Sequence, residues 1–364
     1  MASSWLELLR SGNEVLERMV PLAAADRTSI LPRLMSLSGR AINIPELKVL
    51  QSDVDSFRPD LVVFGNLLSV TPAALCLTKR VGVKSVCVLH NWHPVCSNGL
   101  LFREGRFCDQ CPQIGSSLPA VIHRCGGDRL DSFAAALSVD LHKTLRSYER
   151  ADLLLVPSQY MIELFKNLGL EHCRFQHFPN WLPDLSVSPL PDRQGVVFAG
   201  TLSVSKGIMP LVEAWLEIYG QIGERLHVFG DGALARRIEQ IAATHEAIVF
   251  EGRKDRRQIV ERMASARATI VPSISLESFG LVAIESISVG TPLITGSRGG
   301  LAEINTPDVG VQVAEVNSSN ILAAWHLITA NWQQLSIGAR KRFQEQYSGD
   351  TAKRNLDALL ASLS

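Results

Sequence analysis

Two carboxylates in the second half of the chain have a spacing and a setting that suit ligand binding. Glu277 and Glu285 lie eight positions apart and enclose the turn Phe279-Gly280-Leu281, which follows a strand candidate at residues 268–272. The missing side chain of Gly280 would let a ligand approach the backbone. A helix beginning just after Phe279 would direct free N–H groups and the positive end of its dipole toward an anion. Glu285 would lie about two turns inside that helix. Amides that hold a phosphate beside carboxylates that hold hydroxyl groups would suit a nucleotide sugar.

A second glycine-rich turn supports this interpretation. Residues 289–296 predict a helix end followed by a short apolar strand, and Arg298-Gly299-Gly300 then opens another helix. Two such turns, each after a strand, belong at the carboxyl edge of one parallel sheet, where α/β proteins bind ligands. Taken alone, the first turn is equally compatible with an ordinary strand–loop–helix unit carrying two solvated glutamates, because short motifs also occur by chance.

The run from Val271 to Glu303 resembles the donor-site signature of the retaining glycosyltransferases of family four, which have the GT-B fold. Upstream segments resemble further elements of that family in order and spacing: Pro179-Asn180 at the domain junction, and the strand-and-glycine segments 196–207, 226–232 and 248–252. The resemblance implies an α/β protein with two Rossmann-like, doubly wound domains facing a cleft. Such a protein transfers a sugar from a nucleotide-diphosphate donor, with retention of configuration, to a glycan or lipid-linked acceptor in polysaccharide or glycoconjugate biosynthesis.

The resemblance also implies roles for individual side chains. Glu277 would hold hydroxyl groups of the donor sugar, and Glu285 would accept hydrogen bonds from the ribose. Lys206 would neutralise the diphosphate leaving group. Its place at a helix start, where the dipole disfavours a cation, also favours an anionic partner. The departing phosphate oxygen would itself take the acceptor proton. No metal is expected at the diphosphate, because amides and cations neutralise it.

Further nucleotide contacts are expected from residues near the ends of strands. These residues are Gly200, Thr201, Gly230, Arg253, Phe279, Gly280 and Leu281. The resembled family usually has Arg at the position of Thr201, so one phosphate clamp is missing. This loss could cost about 1.5–3 kcal/mol of charge-assisted hydrogen bonding unless Arg298 or Arg253 compensates.

One histidine follows a strand candidate in the first half of the chain. His90 comes directly after residues 85–89, and in the resembled family a histidine at this place faces the donor sugar. The alternative is a surface or helix-capping histidine, which is more frequent for a lone histidine. The position after a parallel strand favours the catalytic role, and Asn66, after the preceding strand, is a weaker candidate for the same cleft.

Four of the seven cysteines fall within thirty residues: Cys96, Cys108, Cys111 and Cys125. Only Cys108 and Cys111 have the Cys-x-x-Cys spacing of a metal knuckle. The stretch 97–108 resembles a cysteine-bearing loop in a subset of the same glycosyltransferases. A structural metal, with zinc the best candidate, and unligated thiols remain equally open, while disulfides are least expected in a cytosolic chain. The other cysteines lie in apolar segments and are expected in the core: Cys76, Cys87 and Cys173.

Strand and helix patterns alternate along the chain and divide it into five parts. The second half offers six strand candidates, as in a complete doubly wound unit: 195–199, 226–229, 248–250, 268–272, 291–294 and 309–313. The first half offers four: 61–64, 85–89, 153–156 and 174–178. The predicted parts are a helical segment 1–57, an acceptor-side domain 58–180 with the cysteine loop 96–125, a linker 181–191, a donor-binding domain 192–347, and a helix 348–364 returning to the N-terminal domain.

The beginning of the chain departs from the resembled family, whose first domain opens with a strand and a glycine loop. Residues 5–20 and 30–37 have helical apolar spacing, and no strand candidate precedes Leu61. We therefore expect an incomplete acceptor-side domain, from a truncated variant or a start site placed too far downstream, with weak activity in isolation. The exposed sheet edge would be covered by these helices, by a partner chain or by a membrane surface.

Composition favours a folded protein of two domains. The 364 residues are many for one core, and 46% are hydrophobic while 20% are charged. Lys plus Arg and Asp plus Glu each number 36, so nothing favours nucleic acid as a partner. The N-terminus lacks the layout of a signal peptide, and the longest uncharged stretch, 61–78, contains Gly65 and Pro72 and predicts a strand and a helix rather than a membrane span. We expect a cytoplasmic protein that can also associate with a membrane surface.

Three other classes of function share parts of this pattern, and the first is a non-transferase on the same fold, either an epimerase or a phosphorylase. A sugar-nucleotide epimerase would release nucleotide without any acceptor, and a phosphorylase on the same fold would require pyridoxal phosphate. A catalytically impaired partner or scaffold protein would bind no donor, and the missing N-terminal strands favour it. A dinucleotide-dependent oxidoreductase is disfavoured, because no Gly-x-Gly-x-x-Gly follows an early strand.

Overall fold

The computed structural model describes residues 8–10, 14–17, 41–68, 70–183 and 192–363. The chain divides into two compact units. Unit 1 comprises Met1–Leu101, Cys108–Phe178 and Leu359–Ser364, and unit 2 comprises Phe102–Phe107 and Pro179–Ala358. Most of the predicted N-terminal helices, and residues 184–191 of the predicted linker, lie outside the described residues.

Unit 1 contains a parallel sheet whose strands were all expected from apolar runs. The four described strands follow the order β1-β2-β5-β6, and they are β1 (Leu61–Phe64), β2 (Lys84–Val88), β5 (Leu153–Val156) and β6 (Phe175–His177). Every residue of β5 is buried, because helices cover both faces of a parallel sheet. In the part of the chain that the structure describes, no strand precedes β1, as the sequence predicts.

Helices connect and flank these strands. They are α1 (Ile44–Phe57), α2 (Ala73–Val81), α3 (Gln110–Ile114), α4 (Leu118–Ile122), α5 (Arg129–Thr144) and α6 (Gln159–Phe165). Side-chain caps fix where two of them begin. The carboxylate of Asp128 accepts the amide of Asp131 at the start of α5, and Ser158 Oγ accepts the amide of Met161 at the start of α6, which satisfies N–H groups that the helix leaves open.

A short hairpin inside the cysteine loop was not predicted. It pairs β3 (Phe102–Arg103) with β4 (Arg106–Phe107). The two turn residues, Glu104 and Gly105, both have positive φ angles, 50° and 80°, as tight hairpin turns require. Strands of two residues are too short to show an alternating apolar pattern. The Glu-Gly turn is the feature of the sequence that could have indicated this hairpin.

Unit 2 contains a six-stranded parallel sheet of order β12-β11-β10-β7-β8-β9. Its strands are β7 (Val196–Ala199), β8 (Leu226–Phe229), β9 (Ile248–Gly252), β10 (Ala268–Val271), β11 (Leu293–Gly296) and β12 (Gly310–Val313). All six coincide with predicted strands within two residues, and β9 and β11 each end two residues later than predicted. The chain adds β8 and β9 on one side of β7 and then β10 to β12 on the other, which makes the sheet doubly wound.

Helices cover both faces of this second sheet. They are α7 (Ile208–Ile222), α8 (Ala235–Ala242), α9 (Arg256–Ala264), α10 (Leu281–Ser288), α11 (Gly300–Ile304), α12 (Ser318–Ala330) and α13 (Trp332–Arg342), followed by α14 (Gly349–Leu363). A large apolar core lies under α7 and α12, where Trp215 and Trp325 meet edge to face at 6.3 Å. The extent of this core makes unit 2 a rigid base for the loops at its sheet edge.

Candidate functional site

The strand order of unit 2 places a ligand crevice at the carboxyl ends of β7 and β10. These neighbouring strands are paired in parallel, yet the chain leaves them in opposite directions across the sheet. Their following loops therefore diverge, and in open α/β sheets ligands bind at this topological switch point. The two loops are residues 200–207 and 272–280, which contain the predicted Lys206 and Glu277.

The two loops are tied together by backbone contacts. The carbonyl oxygen of Ser205 accepts hydrogen bonds from the amides of Ile274 at 2.9 Å and Ser275 at 3.0 Å. A Cβ at Gly207 would lie 2.1 Å from the carbonyl oxygen of Pro272, and Gly207 has a φ of 69°. Only glycine permits both this conformation and this approach, so the loops hold a fixed relative position.

An ion pair joins the side chains of these loops. Lys206 Nζ donates to Glu277 Oε1, and Ser273 Oγ donates to the same oxygen over 2.6 Å. The Lys206 side chain is 33% exposed and that of Glu277 is 17% exposed. The structure thus brings together two residues expected to hold different parts of a donor, the diphosphate and the sugar. Ser273 was not among the predicted site residues.

The helix α10 begins where the sequence predicts, with Gly280 as its N-cap. Its first N–H groups have no acceptor within the helix and can serve an anion. Gly280 also meets a packing requirement that was not expected, because its φ is 129° and an added Cβ would lie 2.5 Å from the side chain of Leu301. The glycine turn at residues 298–300 holds the loop before α10 in place, because the amide of Gly300 donates to the carbonyl oxygen of Glu277 at 2.9 Å.

Glu285 lies on α10 and is nearly enclosed. Its side chain is 13% exposed and accepts Arg256 Nε at 2.7 Å. Burial raises the pKa of this carboxyl group, and the charge of Arg256 opposes that rise. Since the helix starts at Leu281, Glu285 lies just over one turn inside it rather than the predicted two turns. Arg256, the first residue of α9, was not predicted as part of the site.

A pocket of about 320 Å³ opens beside the carboxyl ends of β7, β8 and β9. Its lining combines four predicted residues, Gly200, Thr201, Gly230 and Arg253, with Phe229, Asp231, Lys254 and Ile259. The close approach of two loops shapes it, because a Cβ at Gly230 would lie 1.9 Å from the carbonyl oxygen of Gly200. Arg253 and Lys254 supply cations where Thr201 replaces the expected Arg, whereas Arg298 is exposed in the turn before α11.

His90 and Asn66 lie near the carboxyl ends of β2 and β1, which are neighbours in the sheet of unit 1. Burial is the main cause that lowers the pKa of His90 to about 4. The imidazole is therefore neutral near pH 7. Asn66 Oδ1 accepts the amide of Leu68 at 2.7 Å, so this side chain shapes its own loop.

The four clustered cysteines all belong to unit 1, are half-buried and form no disulfides. The pKa of Cys111 is raised to about 11, chiefly by burial and to a smaller extent by the nearby thiols of Cys96, Cys125 and Cys108. Among the described residues, however, no three His, Cys, Asp or Glu side chains are arranged as a ready metal-ligand set.

Within the described residues, none of the helices combines the length and the apolar character needed to cross a bilayer. The segment 61–78 contains β1 and most of α2, as its glycine and proline residues indicate.

Comparisons with known proteins agree with this geometry. An uncharacterised glycosyltransferase of Methanocaldococcus jannaschii is 25% identical over 263 residues, which is 66% of each protein. The solved structure of sucrose-phosphate synthase from Thermosynechococcus elongatus aligns with a TM-score of 0.66 at 19% identity, covering 97% of this chain and 86% of that one. The Anabaena protein Alr3699/HepE, solved in complex with UDP and glucose, aligns with a TM-score of 0.61 at 17% identity, covering 87% of this chain and 81% of that one.

These neighbours, together with the two parallel-sheet α/β units, confirm the predicted GT-B fold class. The profile of the family described as Glycosyl transferases group 1 matches residues 187–346. That range holds both loops at the switch point, both glutamates and the pocket beside them. Over these residues, which are less than half of the chain, the protein is therefore similar to a glycosyltransferase group 1 domain.

Proposed function

We propose that this protein is a retaining glycosyltransferase that moves a hexosyl group from a nucleotide-diphosphate sugar to a glycan or lipid-linked acceptor. The observation that carries the proposal is the pairing of Lys206 with Glu277 at the switch point of a group 1 domain. The solved complex of the Anabaena protein with UDP and glucose supports a nucleotide-sugar donor. The reaction would take place in the cytoplasm, within polysaccharide or glycoconjugate biosynthesis.

Each part of the donor has a counterpart in unit 2. Glu285, held by Arg256, would accept hydrogen bonds from the ribose. The amides at the start of α10 and the Lys206 ammonium would neutralise the diphosphate. Glu277 would hold hydroxyl groups of the sugar, because a carboxylate offers more acceptor sites than Lys206 and Ser273 occupy. The pocket between Thr201 and Arg253 would take the remainder of the nucleotide.

The chemistry requires no separate base in this proposal. The bond between the anomeric carbon and the phosphate oxygen breaks, and the bond to the acceptor oxygen forms on the same face of the sugar. The acceptor proton passes to the departing phosphate oxygen, whose negative charge Lys206 and the α10 amides stabilise. His90 would serve the donor sugar as a neutral imidazole, since its pKa is about 4.

A thermal-shift screen over nucleotide-diphosphate sugars tests this function. A donor at a hundred times its dissociation constant stabilises the folded chain by about 2.7 kcal/mol, so we expect one base and sugar to raise Tm clearly. Free sugars and dinucleotides are the matched controls, and they should not raise Tm. A chain that no nucleotide sugar stabilises would be the impaired partner protein instead, and nucleotide release without an acceptor would indicate an epimerase.

A second proposal concerns the cysteine cluster. Cys96, Cys108, Cys111 and Cys125 would hold one structural zinc ion, which stabilises the fold and takes no part in transfer. We expect elemental analysis of freshly purified, reduced protein to give about one zinc per chain, and Cys111→Ser to lower both the zinc content and Tm. Cys76→Ser, at a cysteine outside the cluster, should leave the zinc content unchanged. Protein without zinc or iron would refute the proposal.

A further inference from the structure

Three consecutive helices of unit 1 expose large apolar side chains. The six residues are Ile114 on α3, Leu118 and Ile122 on α4, and Leu130, Phe133 and Leu137 on α5, and they are between 48% and 66% exposed. We call them the apolar helix surface. Soluble proteins seldom expose so many large apolar side chains close together unless the surface binds something.

The six residues lie on neighbouring helix faces. On α5 the spacing of Leu130, Phe133 and Leu137 aligns them along one side. Two hydrogen bonds run between α4 and α5. The amide of Ser117 donates to Asp140 at 2.9 Å, and the amide of Gly126 donates to Ser132 Oγ at 3.0 Å. These contacts join opposite ends of the two helices, so α4 and α5 are antiparallel neighbours that both carry exposed apolar side chains.

The charges around this surface are predominantly positive. Within residues 110–146, all of which the structure describes, the exposed charged side chains are one carboxylate, Asp128, and four cations, Arg124, Arg129, Lys143 and Arg146. Arg146 is paired with Glu149, just beyond this range, at 3.2 Å. Asp128 caps α5 through the amide of Asp131. Arg124 and Arg129 flank the turn between α4 and α5, and Lys143 and Arg146 lie at the other end of α5. Cations therefore stand at both ends of the apolar stripe.

We propose that the apolar helix surface docks on an anionic lipid bilayer. Helices that lie flat on a membrane bury an apolar face at the boundary of headgroups and acyl chains, and flanking Lys and Arg residues bind anionic headgroups. A second copy of the chain fits less well, because a symmetric contact would bring the same cations of both copies together. This inference concerns unit 1 alone and goes beyond the proposed donor chemistry of unit 2.

Flotation of the full chain with vesicles tests the proposal. We expect binding to phosphatidylcholine vesicles that contain phosphatidylglycerol, and weaker binding to phosphatidylcholine alone. The variant Phe133→Ser/Leu137→Ser should weaken vesicle partition by at least about tenfold, because it removes two apolar side chains from the contact. The matched control Ile337→Ser changes a side chain that is 64% exposed on unit 2 and should bind like the parent.

A variant that removes two positive charges measures the electrostatic contribution to vesicle binding. Arg124→Gln/Arg129→Gln should weaken binding to the anionic vesicles by about 30-fold and reduce its salt dependence, with binding to neutral vesicles unchanged. Nucleotide binding and Tm of every variant provide a separate readout of folding and of unit 2. Equal partition of all variants, or no binding to either vesicle, would overturn the proposal. Dimers in sedimentation velocity that Phe133→Ser dissociates, without vesicle binding, would assign the surface to a second copy.

Discussion

Replacing Glu277 by alanine should lower turnover by about 10- to 150-fold, which corresponds to the loss of about 1.5–3 kcal/mol from a hydrogen bond to a charged group. The carboxylate is 17% exposed and already oriented by Lys206 and Ser273. It can therefore hold sugar hydroxyl groups without reorganising, and this preorganisation is what raises kcat. Nucleotide affinity should change by less than about tenfold, because in the proposed site other residues would contact the ribose and the base.

Steady-state kinetics and calorimetry on the same preparations check this expectation. Glu277→Gln keeps the size of the side chain and the acceptor for Ser273 but removes the charge opposite Lys206. It should be impaired nearly as much as Glu277→Ala if the charge matters. Glu315→Ala, at an exposed glutamate of unit 2, is the matched control. Parent-like turnover of both Glu277 variants would show that this residue has no part in transfer.

Replacing Glu285 by alanine should weaken nucleotide binding by about 10- to 150-fold, again from about 1.5–3 kcal/mol of lost hydrogen bonding. The effect should fall on the dissociation constant of the free nucleotide diphosphate, because the ribose belongs to that part of the donor. Glu285 is more enclosed than its partner Arg256, whose side chain is 42% exposed. Leaving Arg256 without this partner therefore costs little stability, and the binding loss can be measured on folded protein.

The partner residue supplies the control for this second prediction. Arg256→Gln keeps Glu285 in place but removes the charge that holds it, so we expect a smaller loss of nucleotide affinity than for Glu285→Ala. Isothermal titration with the nucleotide diphosphate measures both. A larger effect of Arg256→Gln would mean that Arg256, rather than Glu285, contacts the nucleotide. Unchanged affinity in both variants would remove Glu285 from the site.

The strands of unit 2 were predictable because each is a short apolar run bounded by glycine, proline or polar residues. The start of α10 was predictable for a similar reason, since Gly280 marks a break that local chemistry reveals. The bounds of β11 were less predictable. The turn residues Gly290-Thr-Pro suggested an earlier start than the observed Leu293. Pairing with neighbouring strands, rather than local pattern, decides where a strand begins and ends.

The contacts that assemble the site were not predictable from local pattern. Lys206 and Glu277 are separated by 71 positions, and their pairing depends on two loops that meet at the switch point. Arg256 was missed because nothing in the first turn of α9 indicates that it reaches Glu285. The sequence assigned Gly280 to ligand approach, and it gave no sign that Leu301 would leave no room for a Cβ there, because that constraint arises from tertiary packing. Residue types and spacing thus indicated candidate residues, and the fold determined what those residues contact.

Proton NMR of the product most directly tests the claim that this chain transfers a sugar with retention. The donor would be the nucleotide sugar that stabilises the protein best, supplied with a soluble glycan acceptor, and the anomeric proton of the new glycoside would be followed in real time. We predict that the new linkage has the anomeric configuration of the donor from the first turnover and that Glu277→Ala slows its appearance. A product of inverted configuration, or donor converted only to free sugar or an epimer, would contradict the proposed function.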